Sequence, residues 1–172
     1  AQRMKLTGFG IWELGEPVLF TMQMENFHLG FLSPFVPNAY SLGGTFNASL
    51  DVRGTGAKPE ITLDWATSGF SINQGRVDEF TGRISYKDEK LNIGEEENPT
   101  YLAIGPNRAE LSGLVPINFS LLDLKAKPSL ENIETRLDVN IRDLDFLPLI
   151  FPQIGYAKGS GGMYLTIGGK LS

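Results

Sequence analysis

The sequence predicts an all-β protein, and three observations carry that prediction. Hydrophobic side chains recur at every second position in run after run, the period of a strand with one apolar face. Twenty glycines and ten prolines among 172 residues cut these runs into short lengths. Helical periodicity is confined to two stretches of five or six residues, too short to stand without packing.

The runs follow in chain order. Val18, Phe20, Met22 and Met24 alternate after Pro17. Phe46, Ala48, Leu50 and Val52 alternate with Asn47, Ser49, Asp51 and Arg53, and a Gly-Thr-Gly turn leads to Ile61, Leu63 and Trp65. Phe70 and Ile72 precede the turn Asn73-Gln74-Gly75. Ile84 and Tyr86 lead through the polar turn Lys87-Asp88-Glu89-Lys90 to Leu91 and Ile93. Leu102 and Ile104 stop at Gly105-Pro106-Asn107. Val115, Ile117, Phe119 and Leu121 form a further run, Leu137, Val139 and Ile141 another, and Met163, Leu165 and Ile167 the last. The two helical turns are Ser129–Glu134, capped by Ser129, and Asp143–Leu147, stopped near Pro148.

Composition narrows the function. At 41% hydrophobic and 20% charged the chain is long and apolar enough for one folded domain rather than a disordered segment. A net charge of -5 argues against nucleic acid as a partner, because phosphate binding needs a cationic surface. With no cysteine, disulfides, thiolate metal sites and cysteine nucleophiles are excluded together. No apolar run approaches the ~20 residues that span a bilayer as a helix.

Candidate chemistry is thin. His28 is the only histidine, and a solvated strand-end position explains it. Glu95, Glu96 and Glu97 point in divergent directions, unlike the spaced oxygens of a cation loop. Asp143 and Asp145 lack a second carboxylate opposite, as a glycosidase pair needs. Gly159-Ser160-Gly161-Gly162 has the glycines of a phosphate loop without the Lys-Ser/Thr ending or the helix. Asn47 and Asn118 begin glycosylation triplets of a kind that arise by chance. Trp12, Trp65 and the five tyrosines are scattered, which favours packing over a sugar platform. The chain is read as non-enzymatic, without cofactor or metal.

An internal repeat joins residues 22–56 to 137–171. Leu29, Phe31, Leu32, Pro37, Gly44, Leu50 and Gly54 have identical partners 115 places later in Leu144, Phe146, Leu147, Pro152, Gly159, Leu165 and Gly169. The second unit breaks off where the first continues to Pro59-Glu60-Ile61. With the start at Ala-Gln-Arg, this reads as a single segment, residues 1–172, excised from a longer protein.

The phrase Gly44-Thr45-Phe46-Asn47-Ala48-Ser49-Leu50-Asp51-Val52-Arg53-Gly54-Thr55, then Pro59-Glu60-Ile61-Thr62-Leu63, resembles the repeating phrase of the TamB proteins, AsmA-like members of the bridge-type lipid transporters. Gly69–Gly75 and Gly82–Asp88 look like its continuation, and Asp143–Pro148 with Gly159–Gly169 like the next round; residues 94–135 fit less well. The resemblance implies an elongated β-sheet curled lengthwise into a taco with an apolar inner groove. It implies phospholipid acyl chains as cargo, an Omp85-type outer-membrane barrel as partner, a periplasmic location and an inner-membrane anchor in the full-length protein. Lipid transport to the outer membrane and outer-membrane protein assembly are the activities it implies, with no catalytic residues.

Alternation supplies the set that would line such a groove: Phe46, Ala48, Leu50, Val52, Ile61, Leu63, Trp65, Phe70, Ile72, Ile84, Tyr86, Leu91, Ile93, Val139, Ile141, Met163, Leu165 and Ile167, none of them charged. A sheet of roughly a dozen strands at ~4.8 Å spacing would be about 60 Å long. The same set would equally fill a closed β-sandwich acting as a binding module, such as an adhesin or glycan-binding repeat, since alternation does not say what an apolar face touches.

Overall fold

The computed structural model describes residues 3–11, 13, 16–37, 40–95, 99–122, 133–151 and 153–169. Trp12, Glu96, Glu97, most of the helical turn expected at 129–134, Pro152 and the residues after 169 lie outside them. Eleven strands form one antiparallel sheet: β1 (Lys5–Ile11), β2 (Leu19–His28), β3 (Leu42–Gly54), β4 (Pro59–Ile72), β5 (Gly75–Arg76), β6 (Glu79–Lys87), β7 (Lys90–Ile93), β8 (Thr100–Ile104), β9 (Asn107–Pro116), β10 (Ile133–Ile141) and β11 (Gly161–Gly169). A 3-10 helix (Leu29–Phe35) and α1 (Leu147–Ile150) are the helical pieces among the described residues.

The order is a meander, β1-β2-β3-β4-β6-β7-β9-β10-β11, with β5 a stub on β4. β7 and β8 share one place. Tyr86 pairs Leu91 at one end of β6, Phe80 pairs Leu102 at the other, and β9 pairs both. Among the described residues the sheet therefore has nine strand places, with β1 and β11 at its two edges. Eight spacings of ~4.8 Å give about 40 Å, shorter than the 60 Å expected, because the stub and the shared place add no width.

Turn chemistry explains the meander. Asp88 and Glu89, both at positive φ, make the two-residue turn that matches strand twist. Gly105 at φ +54 followed by Pro106, whose ring holds φ negative, makes the two-residue β8–β9 turn with positive φ at its first position only.

The sheet is open. The chain exposes 11396 Å², against about 8,300 Å² expected of a compact monomer of its mass. Buried hydrophobic residues among those described are few: Val18, Leu29, Val52, Val77, Tyr86 and Ile150. All described strands belong to this one sheet, so no second sheet faces it, and the closed sandwich is set aside.

Four details differ from the sequence reading. β1 was not expected, because Gly8 and Gly10 occupy two of its apolar-side positions and hide the alternation. The run Val115–Leu121 divides: β9 starts earlier and ends at Pro116, and the chain then leaves the sheet. Ile133 and Glu134 belong to a strand rather than a helical turn. The second helical turn lies at Leu147–Ile150, with Pro148 inside its first turn, where the missing N–H costs nothing, rather than ending it.

Candidate functional site

The ladders sort the side chains into two faces of opposite character. Paired residues lie on the same side of a sheet, so a row can be traced from edge to edge. One row runs Gly8, Met22, Leu50, Leu63, Ile84, Ile93, Gly113, Thr135, Ile167. Beside it lie Phe20, Val52, Ile61, Tyr86, Leu91 and Val115. On the other side lie Leu6, Met24, Ala48, Trp65 and Gly82, and farther along the sheet Leu111, Leu137 and Leu165. Val139 pairs Met163, and Ile141 pairs Gly161. None of these residues is charged.

Phe70 and Ile72 reach this face by a β-bulge. Thr45 pairs Ser68 but Gly43 pairs Ser71, so β4 carries one extra residue. Gly69 sits there at φ +60, the left-handed conformation a bulge glycine supplies. The bulge inverts the parity of β4, turning even-numbered Phe70 and Ile72 to the side of odd-numbered Trp65. The rings record it: Trp65 and Phe70 each lie near Phe80, at 6.0 and 6.4 Å between centroids. Asn26, at φ 54, does the same in β2 and turns Phe27 toward Phe46. All the residues of the expected lining set thus share one face.

The opposite face is largely polar and holds the ion pairs, although Phe9, Ile11, Leu19 and Leu114 also lie on it. Arg83 donates to both carboxylate oxygens of Asp64, at 2.6 and 3.1 Å, and this raises its pKa above the ordinary guanidinium value. Lys87 pairs with Glu60 at 2.9 Å, which raises the lysine. Lys5–Glu25, Arg108–Glu110 and Arg136–Asp138 continue the pattern. A hydrogen bond to Glu79 raises the Tyr101 phenol, on whose ring Arg108 stacks at 4.5 Å. These exposed pairs contribute little stability each but hold the polar side toward water.

Segments at both strand ends fold toward the apolar face. The Tyr86 hydroxyl donates to the Phe119 carbonyl at 3.1 Å and accepts the Phe119 N–H at 2.9 Å, while the Phe119 ring meets Tyr86 edge-on. Leu121 N–H and Ser120 Oγ both donate to the Gly56 carbonyl. At the other end, Asn73 Nδ2 donates to the Ile150 carbonyl, and the Leu149 carbonyl accepts the Gln74 N–H. Between these ends the face stays partly exposed: Leu6 by 56%, Leu165 by 42% and Ile167 by 46%. A depression of about 740 Å³ opens beside β1, lined by Leu6, Phe20, Met22, Val52 and Leu121 among others. A second, of about 470 Å³, lies chiefly on the polar face around Asn47, Ser49, Asp64 and Arg83, whose charges already neutralise one another.

The other sequence candidates have local roles. His28 precedes the 3-10 helix, its ring edge-on to Phe31 at 6.3 Å. Asp143 accepts the Asp145 N–H in a turn, and Asn107 Oδ1 accepts the N–H groups of Arg142 and Asp143. Gly159 accepts Leu144 N–H ahead of β11. Asn47 Oδ1 accepts the Asn26 N–H at the bulge, and Asn118 donates to Glu89. Among the described residues no three His, Cys, Asp or Glu side chains converge as a metal site, and no helix is long and apolar enough to cross a membrane.

The lining set omits several residues of the apolar face. Phe20, Met22, Met24, Leu102 and Leu137 lie in runs the sequence revealed, and their parity alone would have added them. Phe80, Ala109 and Leu111 were hidden, because Gly82 and Gly113 stand at the next apolar-side positions and break the alternation. No family model matches the chain, and no curated protein or solved structure does.

Proposed function

We propose that this chain is a segment of an envelope-spanning, TamB-like protein whose uncharged face shields phospholipid acyl chains on their way through the periplasm to the outer membrane. In this reading the full-length protein is anchored in the inner membrane, meets an Omp85-type barrel at the far side, and also serves outer-membrane protein assembly. The segment performs no catalysis. It lowers a transfer barrier.

One observation carries the proposal: an uncharged row crosses every strand place from β1 to β11 and is left partly uncovered. Exposing a sixteen-carbon chain to water costs on the order of 12 kcal/mol, at ~0.8 kcal/mol per methylene. An apolar wall without interruption removes most of that cost at every step, whereas one charge in the row would restore several kcal/mol of it locally. The segments at 117–122 and 147–151 stand as two rims of the groove, which runs across the strands.

The test is native mass spectrometry and lipid extraction of the purified chain, wild type against Leu50→Glu. Co-purifying phospholipid or detergent is expected for the wild type. The variant is expected to lose it while keeping its β-sheet circular dichroism, because a wall facing lipid tolerates a charge that a sealed core does not. An apo wild type, or an unfolded variant, contradicts the proposal.

A further inference from the structure

We infer that residues 144–151 form a hinged lid on the apolar face, latched at its tip by Asn73, and that the lid opens to admit an apolar ligand past the strand ends. The inference rests on the reading that this face takes a hydrocarbon ligand from outside the chain.

The neck and the tip of the lid are held by different strands. At the neck, Asn107 Oδ1 accepts the N–H groups of Arg142 and Asp143 at 2.8 and 3.0 Å, and Asn107 itself is buried. The Leu144 N–H donates to the Gly159 carbonyl at 3.1 Å and ties the two ends of the loop together. A surface loop tied at its ends can swing without disturbing the strands on either side. At the tip, α1 lies at the β4–β5 turn, three strand places from β9 and so about 14 Å along the sheet. Asn73 Nδ2 donates to the Ile150 carbonyl at 2.8 Å, the Gln74 N–H donates to the Leu149 carbonyl at 3.2 Å, and the Phe151 ring meets Tyr40 edge-on. The Ile150 side chain seats on Gly75, where a Cβ would lie 2.6 Å from Ile150 Cγ1. Gly75 pairs with Ile72, so Ile150 covers the uncharged face.

The latch is weak beside the ladders it rests on. α1 is a single turn of four residues, too short to hold itself, and Ile150 is its one buried residue. Leu149 and Phe151 remain 43% and 39% exposed. A segment held by two hydrogen bonds and one buried side chain opens before the strands do. The equivalent link of the first repeat, 115 residues earlier, folds instead on its own strand, where Ser33 Oγ accepts the Leu42 N–H. Pro148 stands at the place of Ser33 and has no hydroxyl, so the second link lacks that anchor and its tip is left to Asn73. Asn73 sits at φ 55, its N–H donates to the Ser41 carbonyl, and its Oδ1 accepts the Ser41 N–H, both at 2.8 Å. Those bonds fix the turn, and Nδ2 serves the lid. Asn73→Asp therefore keeps the acceptor and the left-handed backbone and removes the donor alone.

Amide exchange tests the latch. Asn73→Asp is expected to speed exchange of the Ile150 and Phe151 amides about tenfold, because a carboxylate then faces the Ile150 carbonyl, and to leave the β3–β4 ladder unchanged. Unaltered exchange at 150 and 151, or a rise shared by the whole sheet, overturns the inference. A disulfide lock tests the gating. The chain has no cysteine, and Gly75→Cys with Ile150→Cys sets two Cβ atoms within bonding range, so the pair is expected to oxidise readily. A photoreactive side chain at Phe70, two residues in from Ile72 on the same face, reports on the covered region, and one at Leu165 on the open region. With dioleoylphosphatidylcholine vesicles, the wild type and the reduced pair are expected to give acyl-chain adducts at both positions. The oxidised pair is expected to lose them at Phe70 and keep them at Leu165. Adducts at Phe70 in the oxidised protein, or a pair that does not oxidise, overturn the lid and leave the lipid-shielding reading standing; adducts at neither position in any state overturn both.

Discussion

Trp65 lies across β6 because Gly82 has no side chain. A Cβ at that position would collide with the indole ring and with Thr100, both of which are fixed in the sheet. Gly82→Ala is therefore expected to destabilise the fold by about 1–3 kcal/mol through overpacking, read as a lower urea midpoint at unchanged slope. An unchanged midpoint would mean that the ring yields freely. Tyr101 gives a pH test at the same scale. Its hydroxyl bonds the Glu79 carboxylate, which raises the phenol above its ordinary value. The folded pKa being the higher, this contribution is complete below the unfolded tyrosine value near pH ~10 and is lost as the pH rises through the folded one. The difference in phenolate absorbance titration between wild type and Tyr101→Phe is expected above the range of free tyrosine, and Glu79→Ala is expected to bring it down. A Tyr101 component in the free range contradicts the assigned bond.

Among the elements, β4 shows how a single glycine decides which face a strand presents. Gly69 has open space around a notional Cβ, so a side chain there meets only the backbone penalty of φ +60. Gly69→Ala is expected to cost about 1 kcal/mol, and Gly69→Asn less, since asparagine tolerates the left-handed region. Equal costs for both would argue against the bulge. The segment at 117–122 is tied down by the two bonds of the Tyr86 hydroxyl. Tyr86→Phe leaves the Phe119 N–H without its acceptor, at a cost of about 1–3 kcal/mol, and is expected to speed amide exchange there before elsewhere.

These elements also mark how far the sequence could be read. Strands from Phe46 to Ile93, the first half of β6 apart, were legible because most of their apolar positions hold large side chains and their turns hold Gly, Asn or Asp. β1 and the first half of β9 were not, since glycine or alanine stands at apolar-side positions 8, 10, 109 and 113. The run Ile117–Leu121 alternates like a strand, yet Pro116, which has no N–H to donate, ends the ladder just before it. The parity shifts at Asn26 and Gly69 follow from positive φ, which alternation does not encode.

For the whole molecule, the division of charge is the decisive feature. Every ion pair described on the ladders falls on one face, and the other crosses nine strand places without a charge. A closed core would produce the same sequence pattern, but it would not leave more than a third of extra surface exposed on a chain of this mass. That face is what the proposed lipid-shielding function requires. The sharpest single measurement is site-specific photocrosslinking along β3, with a probe at each of positions 47 to 52 in turn, in the presence of phospholipid vesicles. The account predicts acyl-chain adducts at 48, 50 and 52 and none at 47, 49 and 51; adducts on both sets, or on neither, would contradict it.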